Sequence, residues 1–361
     1  MNILLIRLRQ IGDVVFTTPL PRALKRAFPG ARVTYVVERH AAPVVAGNPH
    51  IDRIIVLERT RGARRLVDDA RLASRLRRER FDIVLDLHGG PRAAWLAWAT
   101  SAPQRIGYDI QGRRWMYTRT VARPLELRAR HSVANQWDLL EAIEGWPSGA
   151  ADPARDSVEM AADPRAEAAI AERLASAGIR DEHELIVAHV SAGNPFRRWP
   201  EPSFAQVIAS LAESSPLRRS ILSSGPSDRE AAARIATAAR ARLGDHASRI
   251  VDFGDFDLAE LRVLIARSRL FIGGDTGPLH IASTTTTPIV GLYGPTLAAR
   301  SEPWRDPRVP SAALAVAGLP CRPCDQRVCT PGDFRCLDWI RPEDVISTAE
   351  RMLTRRATTG A

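Results

Sequence analysis

"GGDTGPLHIAS", residues 273–283, follows the apolar run Leu270-Phe271-Ile272 and leads into a helical pattern. The run predicts a short buried strand, and Ile281-Ala282 onward predicts a helix. Pro278 suits a first helical turn, where its missing N–H would be an orphan donor anyway. Asp275 or Thr276 is then the expected N-cap. A strand, a glycine turn and a helix N-terminus together make an anion site, because free backbone N–H groups and the positive dipole end point the same way.

Working outward, strand-like runs alternate with helical patterns along the whole 361-residue chain. The runs are Ile3–Ile6, Val33–Val37, Ile54–Val56 and Ile83–Leu87, then Leu185–Val190, Ser220–Ser223, Leu270–Ile272 and Ile289–Leu292. Helical patterns cover Pro19–Phe28, Arg64–Arg80, Phe204–Glu213 and Asp228–Leu243. This rhythm predicts an α/β fold of parallel sheets covered by helices on both faces. "WPSGAADPARDSVEM" (146–160) lacks periodicity and reads as a linker. The expected division is 1–160 and 161–361, with the final helix free to pack back on the N-terminal half. Each half opens alike, an apolar strand feeding a turn, so two Rossmann-like doubly wound domains facing across a cleft are expected. Ligands then bind at the carboxyl ends of the strands.

Composition narrows the class. Hydrophobic residues at 45% and charged residues at 25% are those of a globular protein. "MNILLIRLRQ" reads as a first strand and not a signal peptide, and no apolar run approaches a bilayer span. A cytoplasmic location is expected. Of 51 Lys and Arg residues only Lys25 is a lysine, which points to genome composition more than to a selected arginine surface. Nine arginines between Arg59 and Arg80 decorate the outer side of one helix, whose inner side carries Leu66, Ala70, Ala73 and Leu76. The net charge of +10 still favours acidic partners. Nucleic acid is not among them, since the basic stretches lack interleaved aromatics.

Three further stretches carry candidate chemistry. In "RLRQIGDVVFTTPL" (7–20), Asp13 falls behind Gly12 after the first strand, placed to act as a general base; the plainer alternative is a helix N-cap. No GxGxxG follows that strand, which disfavours an ordinary dinucleotide site. "SAGNPFRRWPEPSF" (191–204) holds Arg197 before a rigid Trp-Pro corner, a fixed cation for a phosphate or simply a surface arginine. In "SSGPSDREAAARIA", Glu230 lies in the first turn of a helix, either accepting hydrogen bonds from a ribose or only complementing the dipole. His280 alone would be a packed helical histidine; behind "GGDTG" it reads as a ligand contact.

Together and in this order, these stretches resemble the ADP-heptose:lipopolysaccharide heptosyltransferases, glycosyltransferase family 9. "FDIVLDLHGG", "RIGYD" and "LYGPT" extend the likeness over nearly the whole chain. The resemblance implies a GT-B architecture, with the acceptor in the first domain and the nucleotide-sugar in the second. It also implies inverting, metal-independent transfer from ADP-heptose to the lipopolysaccharide core, with no cofactor and with peripheral contact to the anionic inner membrane surface. Position by position, Asp13 matches the general base and Glu230 the ribose contact. Arg197, where the family has a lysine, matches the diphosphate contact. Asp275, Thr276, Gly277 and His280 match the turn that holds the donor. A transferase using another nucleotide-sugar or another envelope glycan is the alternative.

All four cysteines, Cys321, Cys324, Cys329 and Cys336, lie within sixteen residues. The C-x2-C-x4-C-x6-C spacing fits either a structural tetrahedral zinc or a reduced, metal-free loop. The resemblance implies that this segment lies away from the donor site.

Overall fold

The structure, a computed structural model, describes residues 1–60, 62–123, 129–147, 149–190 and 192–358. The first half forms one parallel sheet from β1 (Asn2–Ile6), β2 (Arg32–Glu38), β3 (Arg53–Leu57), β4 (Ile83–Asp86), β5 (Gln104–Asp109) and β6 (Arg119–Ala122). The second half forms another from β7 (Glu184–His189), β8 (Arg218–Ser224), β9 (Ile250–Asp255), β10 (Leu270–Gly274), β11 (Ile289–Leu292) and β12 (Ser311–Leu314). The strand orders are 3-2-1-4-5-6 and 12-11-10-7-8-9. Renumbered from its own first strand, the second sheet repeats the order of the first. Each is the doubly wound Rossmann arrangement, with its topological switch point between β1 and β4 or between β7 and β10.

Most strands read from sequence are buried on both faces, such as Ile3–Ile6 and Phe271–Ile272, although the edge strand β3, read at Ile54–Val56, leaves Val56 43% exposed. Those not read lie toward the margins, and two edge strands, β6 and β12, are exposed or half-buried throughout. With no fully covered face they need no continuous apolar run, so periodicity does not mark them. The expected helices form as Pro19–Ala27, Gly62–Arg78, Glu201–Glu213 and Arg229–Leu243, but in the second only Ala73 and Leu76 face inward as expected, while Ala70 is exposed and Leu66 is 72% exposed.

The chain divides into two compact units, Met1–Ala161 with Trp304–Asp306, and Ala162–Pro303 with the chain from Pro307 on. The return at residue 304 was not expected. There the Val158 N–H donates to the Trp304 carbonyl at 3.0 Å, and the Trp304 indole donates to the Asp156 carbonyl at 2.9 Å. The later part of the stretch read as a linker, 152–160, is correspondingly fixed. Asp156 is fully buried between Arg26 and Arg155, each 2.9 Å away, and Val158 and Met160 pack inside. The final helix, Pro342–Thr358, buries Val345, Ala349, Met352 and Leu353 in the core of the second unit. Each Leu- or Met-sized side chain buried this way is worth about 1.5–3 kcal/mol. Among the described residues no helix is long and apolar enough to cross a membrane.

Candidate active site

In the second unit the site gathers at the carboxyl ends of β7 and β10. Gly273 and Gly274 close β10, and both have negative φ, so neither serves a left-handed turn. A Cβ on Gly273 would come within 3.0 Å of the Phe271 ring, and one on Gly274 within 3.4 Å of the Arg197 carbonyl oxygen. The room that these two glycines keep is filled by protein. Thr276 is the N-cap by position, but its hydroxyl donates back to the Gly274 carbonyl at 3.3 Å and accepts no cap bond. The helix that follows, Gly277–Ala282, has six residues. Its dipole is therefore short, and side chains must supply most of the positive charge.

Asp275 is turned inward, 4% exposed. Thr296 Oγ1 donates to its Oδ2, His280 Nε2 lies 3.4 Å from Oδ1, and Arg197 Nη1 lies 3.6 Å from Oδ2. Burial alone would raise its pKa, but the His280 hydrogen bond, the nearby His280 and Arg197 charges and the Thr296 hydroxyl pull it down to about 2. Arg197 comes from the short turn Pro195–Arg197. Its Nη1 donates to the Asp275 carbonyl at 2.6 Å and its Nε to Gln326 Oε1 at 2.8 Å. Arg198 turns elsewhere, to Asp228 at 2.8 Å. At the end of β7, His189 is buried against Ser223, with Nδ1 and Oγ 3.0 Å apart. Burial lowers its pKa to about 4, so the ring is neutral near pH 7. Glu230 is exposed on the first turn of Arg229–Leu243, beyond the end of the neighbouring strand β8.

Arg197, Asp275, Thr276, Gly277 and His280 thus form one contiguous cluster, and sequence reasoning missed two of its supports. Thr296 sat unassigned within "LYGPT". Gln326 belongs to the cysteine segment, which was expected to lie elsewhere. That segment instead folds over the site. Arg322 donates through Nη2 to the Thr296 carbonyl at 2.7 Å, and the Cys324 N–H donates to Pro295 at 3.2 Å. The four cysteines are free and half-buried. Among the described residues no group of three or more His, Cys, Asp or Glu is placed to hold a metal ion.

The first unit builds a related arrangement at the ends of β1 and β4. The tight turn falls at Gln10, with φ 66°, and not at Gly12, which lies inside the short helix Ile11–Val15. Asp13 is the third residue of that helix, so the N-cap alternative does not form. Its Oδ2 pairs with Arg7, while its side chain stays 42% exposed. Arg7 is buried and also donates to the Leu87 carbonyl. The next residue, His88, is held by Asp86, whose Oδ1 accepts the His88 and Gly89 N–H groups at 2.9 and 2.8 Å. Gly90 leaves room for the ring, since a Cβ there would stand 2.7 Å from His88 Cδ2. Burial, with the charges of Arg7, Arg9 and Arg123 outweighing that of Asp13, lowers the His88 pKa to about 4.

Two doubly wound sheets, the second carrying a cation fixed at a strand-end turn and lacking a GxGxxG loop, fit a glycosyltransferase of the GT-B class. Residues 70–333 match glycosyltransferase family 9 (heptosyltransferase), and the chain belongs to that family. It is 26% identical over 358 residues to lipopolysaccharide heptosyltransferase 3 of Escherichia coli K12, covering 97% of each chain. The crystal structure of the glycosyl transferase family 9 from Veillonella parvula superposes with a TM-score of 0.82 at 25% identity, over 98% of this chain and 97% of that one. The E. coli heptosyltransferase WaaC with ADP-2-deoxy-2-fluoro heptose does so with a TM-score of 0.69 at 20% identity, over 97% and 99%. The last likeness speaks to the fold alone.

Proposed function

We propose that this enzyme transfers heptose from ADP-heptose to an inner-core sugar of lipopolysaccharide, with inversion at the anomeric carbon. The observation that carries this reading is the Arg197 guanidinium held against the Asp275–Gly277 turn, a fixed cation where a diphosphate would lie. The full-length likeness to a lipopolysaccharide heptosyltransferase supports the sugar and the acceptor class. WaaC, which shares the fold and holds ADP-2-deoxy-2-fluoro heptose, supports ADP as the nucleotide.

In the proposed reaction an acceptor hydroxyl attacks the anomeric carbon as its proton passes to Asp13. The bond to the diphosphate breaks on the opposite face, and ADP leaves with the electron pair. Asp13 Oδ2 is engaged by Arg7, and among the described residues Oδ1 has no partner, so Oδ1 is the atom that takes the proton. Asp275 is a carboxylate already spent on protein groups, and a phosphate would repel it. It acts by positioning Arg197 and His280. Those two side chains, with the N–H groups at Thr276 and Gly277, meet the developing charge on the leaving group. Glu230 accepts hydrogen bonds from the ribose. The acceptor is borne by lipid, so the enzyme works against the anionic inner membrane surface from the cytoplasmic side.

The test is thermal unfolding with ADP, UDP, GDP and CDP in turn. A ligand at 100 times its Kd stabilises by ~2.7 kcal/mol, a shift of several degrees. A shift with ADP alone is expected. A shift with another nucleotide instead would overturn the donor, and no shift with any would overturn the transferase site as drawn.

A further inference from the structure

The first unit carries an aromatic pair that nothing above uses. Trp98, near the end of the helix Pro91–Ala99, is 44% exposed, and Trp115, on the turn Arg114–Met116, is 61% exposed. Their rings meet edge to face with centroids 5.8 Å apart. The pair is rigidly mounted. Trp95, Ala99 and Met116 beneath it pack on the hydrophobic core, and the Trp115 indole donates to the Gly112 carbonyl at 3.1 Å. Exposing two indoles together leaves apolar area in water that folding would otherwise have hidden, so a partner for this face is expected.

The charge around the pair says which partner. Among the described residues neither Arg113 nor Arg114, the two residues before Trp115, has a carboxylate within 4 Å. The helix Gly62–Arg78 packs beside Pro91–Ala99 and presents Arg77, near the same end as Trp98 and also without a carboxylate partner among those residues, to solvent. Indoles suit the headgroup level of a bilayer, where one end is apolar and the other wet. Unpaired arginines suit an anionic surface, and stable anchoring needs both signals together. A second copy of the chain fits less well, because it would set these uncompensated arginines against one another.

We infer that the Trp98–Trp115 face, with Arg113 and Arg114 at its rim, is where the enzyme docks on an anionic lipid bilayer. This deepens the proposed function, because it rests on the acceptor being borne by lipid. Trp98 lies eight residues beyond Gly90, about 12 Å along the helix from the end of β4 where Asp13 and His88 sit. Docking there leaves that edge standing off the lipid, with space for the sugar chain of an anchored acceptor.

The experiment is co-sedimentation of the full chain with phosphatidylcholine vesicles, with and without phosphatidylglycerol. Binding is expected only to the anionic vesicles and should weaken as salt rises. W98S/W115S should bind about tenfold more weakly or worse, and R113E/R114E should lose the preference for anionic lipid. W115S alone, at the more exposed indole, serves if the double variant unfolds early. Transfer to a lipid-free acceptor should be unchanged in these variants, which separates failure of the docking face from failure of the transferase reading. Undiminished vesicle binding by the tryptophan variants, or none by the natural protein, would overturn the inference. So would a dimer in solution that W98S/W115S dissociates, because the face would then belong to a second copy.

Discussion

The two switch points are built from the same three residue types and use them in opposite ways. Between β1 and β4 stand Arg7, Asp13 and His88; between β7 and β10 stand Arg197, Asp275 and His189. Both histidines are held near pKa 4, chiefly by burial. The carboxylates differ. Asp275 is 4% exposed and both of its oxygens face protein groups, whereas the Asp13 side chain is 42% exposed with one oxygen engaged. The arginines differ in the reverse sense, since Arg7 is buried and the Arg197 side chain is 28% exposed. One site therefore offers a carboxylate braced by a hidden cation, the other a cation braced by a hidden carboxylate. The first suits taking a proton, the second receiving an anion.

The sharpest way to break this contrast is to remove the charge from each carboxylate. Asp13→Asn should lower kcat by about 10²–10⁴, the usual value of a general base, with ADP binding unchanged. Steady-state rates with a nucleotide thermal shift would check both halves. Near-full turnover would remove Asp13 from the chemistry. Asp275→Asn should act first on the fold. It leaves Arg197 and His280 facing a neutral amide in a buried site, at a cost of about 3 kcal/mol in urea unfolding. A variant as stable as the natural protein would mean that the inward carboxylate braces nothing.

Acid unfolding sharpens the comparison further. The His189 pKa falls from 6.5 to about 4 on folding, so the unfolded chain binds more protons across that interval. Its contribution is complete above pH 6.5 and is lost as the pH falls toward 4, by about 2 kcal/mol once relaxation is allowed for. The lowered Asp275 pKa has the same sign at lower pH, its contribution being lost between 3.8 and about 2. His189→Gln should shrink the loss over the first interval to the part that His88 contributes and leave the second in place, as read from unfolding midpoints across pH 2–7. An unchanged profile would show that His189 is not buried neutral.

What the sequence made legible follows the same divide between backbone and side chain. Doubly covered strands announce themselves by continuous apolar runs, and the strand-end turns by glycine, so the fold and the position of Asp13, Arg197 and Asp275 could be read. The direction a side chain takes could not. Nothing in "GGDTG" tells an Asp aimed at a ligand from one aimed at Thr296, because Thr296 comes from the next strand's end, twenty-one residues on. The turn at Gln10 escaped for a related reason: a glycine two residues later was the better candidate for φ > 0, but helix formation from Ile11 fixed the bend earlier. The cysteine segment was opaque because its conspicuous residues, the thiols, are not those that touch the site.

That segment supplies the finest test. Gln326 Oε1 accepts from both Arg197 Nε, at 2.8 Å, and Asn194 Nδ2, at 2.9 Å, and so ties Arg197 to its own loop. Gln326→Ala removes one hydrogen bond to a charged group whose surroundings are partly wet. ADP affinity should therefore fall by about three- to tenfold, with the unfolding midpoint nearly constant. Isothermal titration with ADP reads this directly. The pattern would mean that the loop holds the donor site in shape from outside, as Arg7 holds Asp13 from within the first unit. Unaltered affinity would instead make Arg197 self-sufficient once Asp275 is in place, since its Nη1 bond to the Asp275 carbonyl at 2.6 Å survives the substitution. The asymmetry between the two switch points would then be complete, with one cation fixed by burial and the other by the turn it serves.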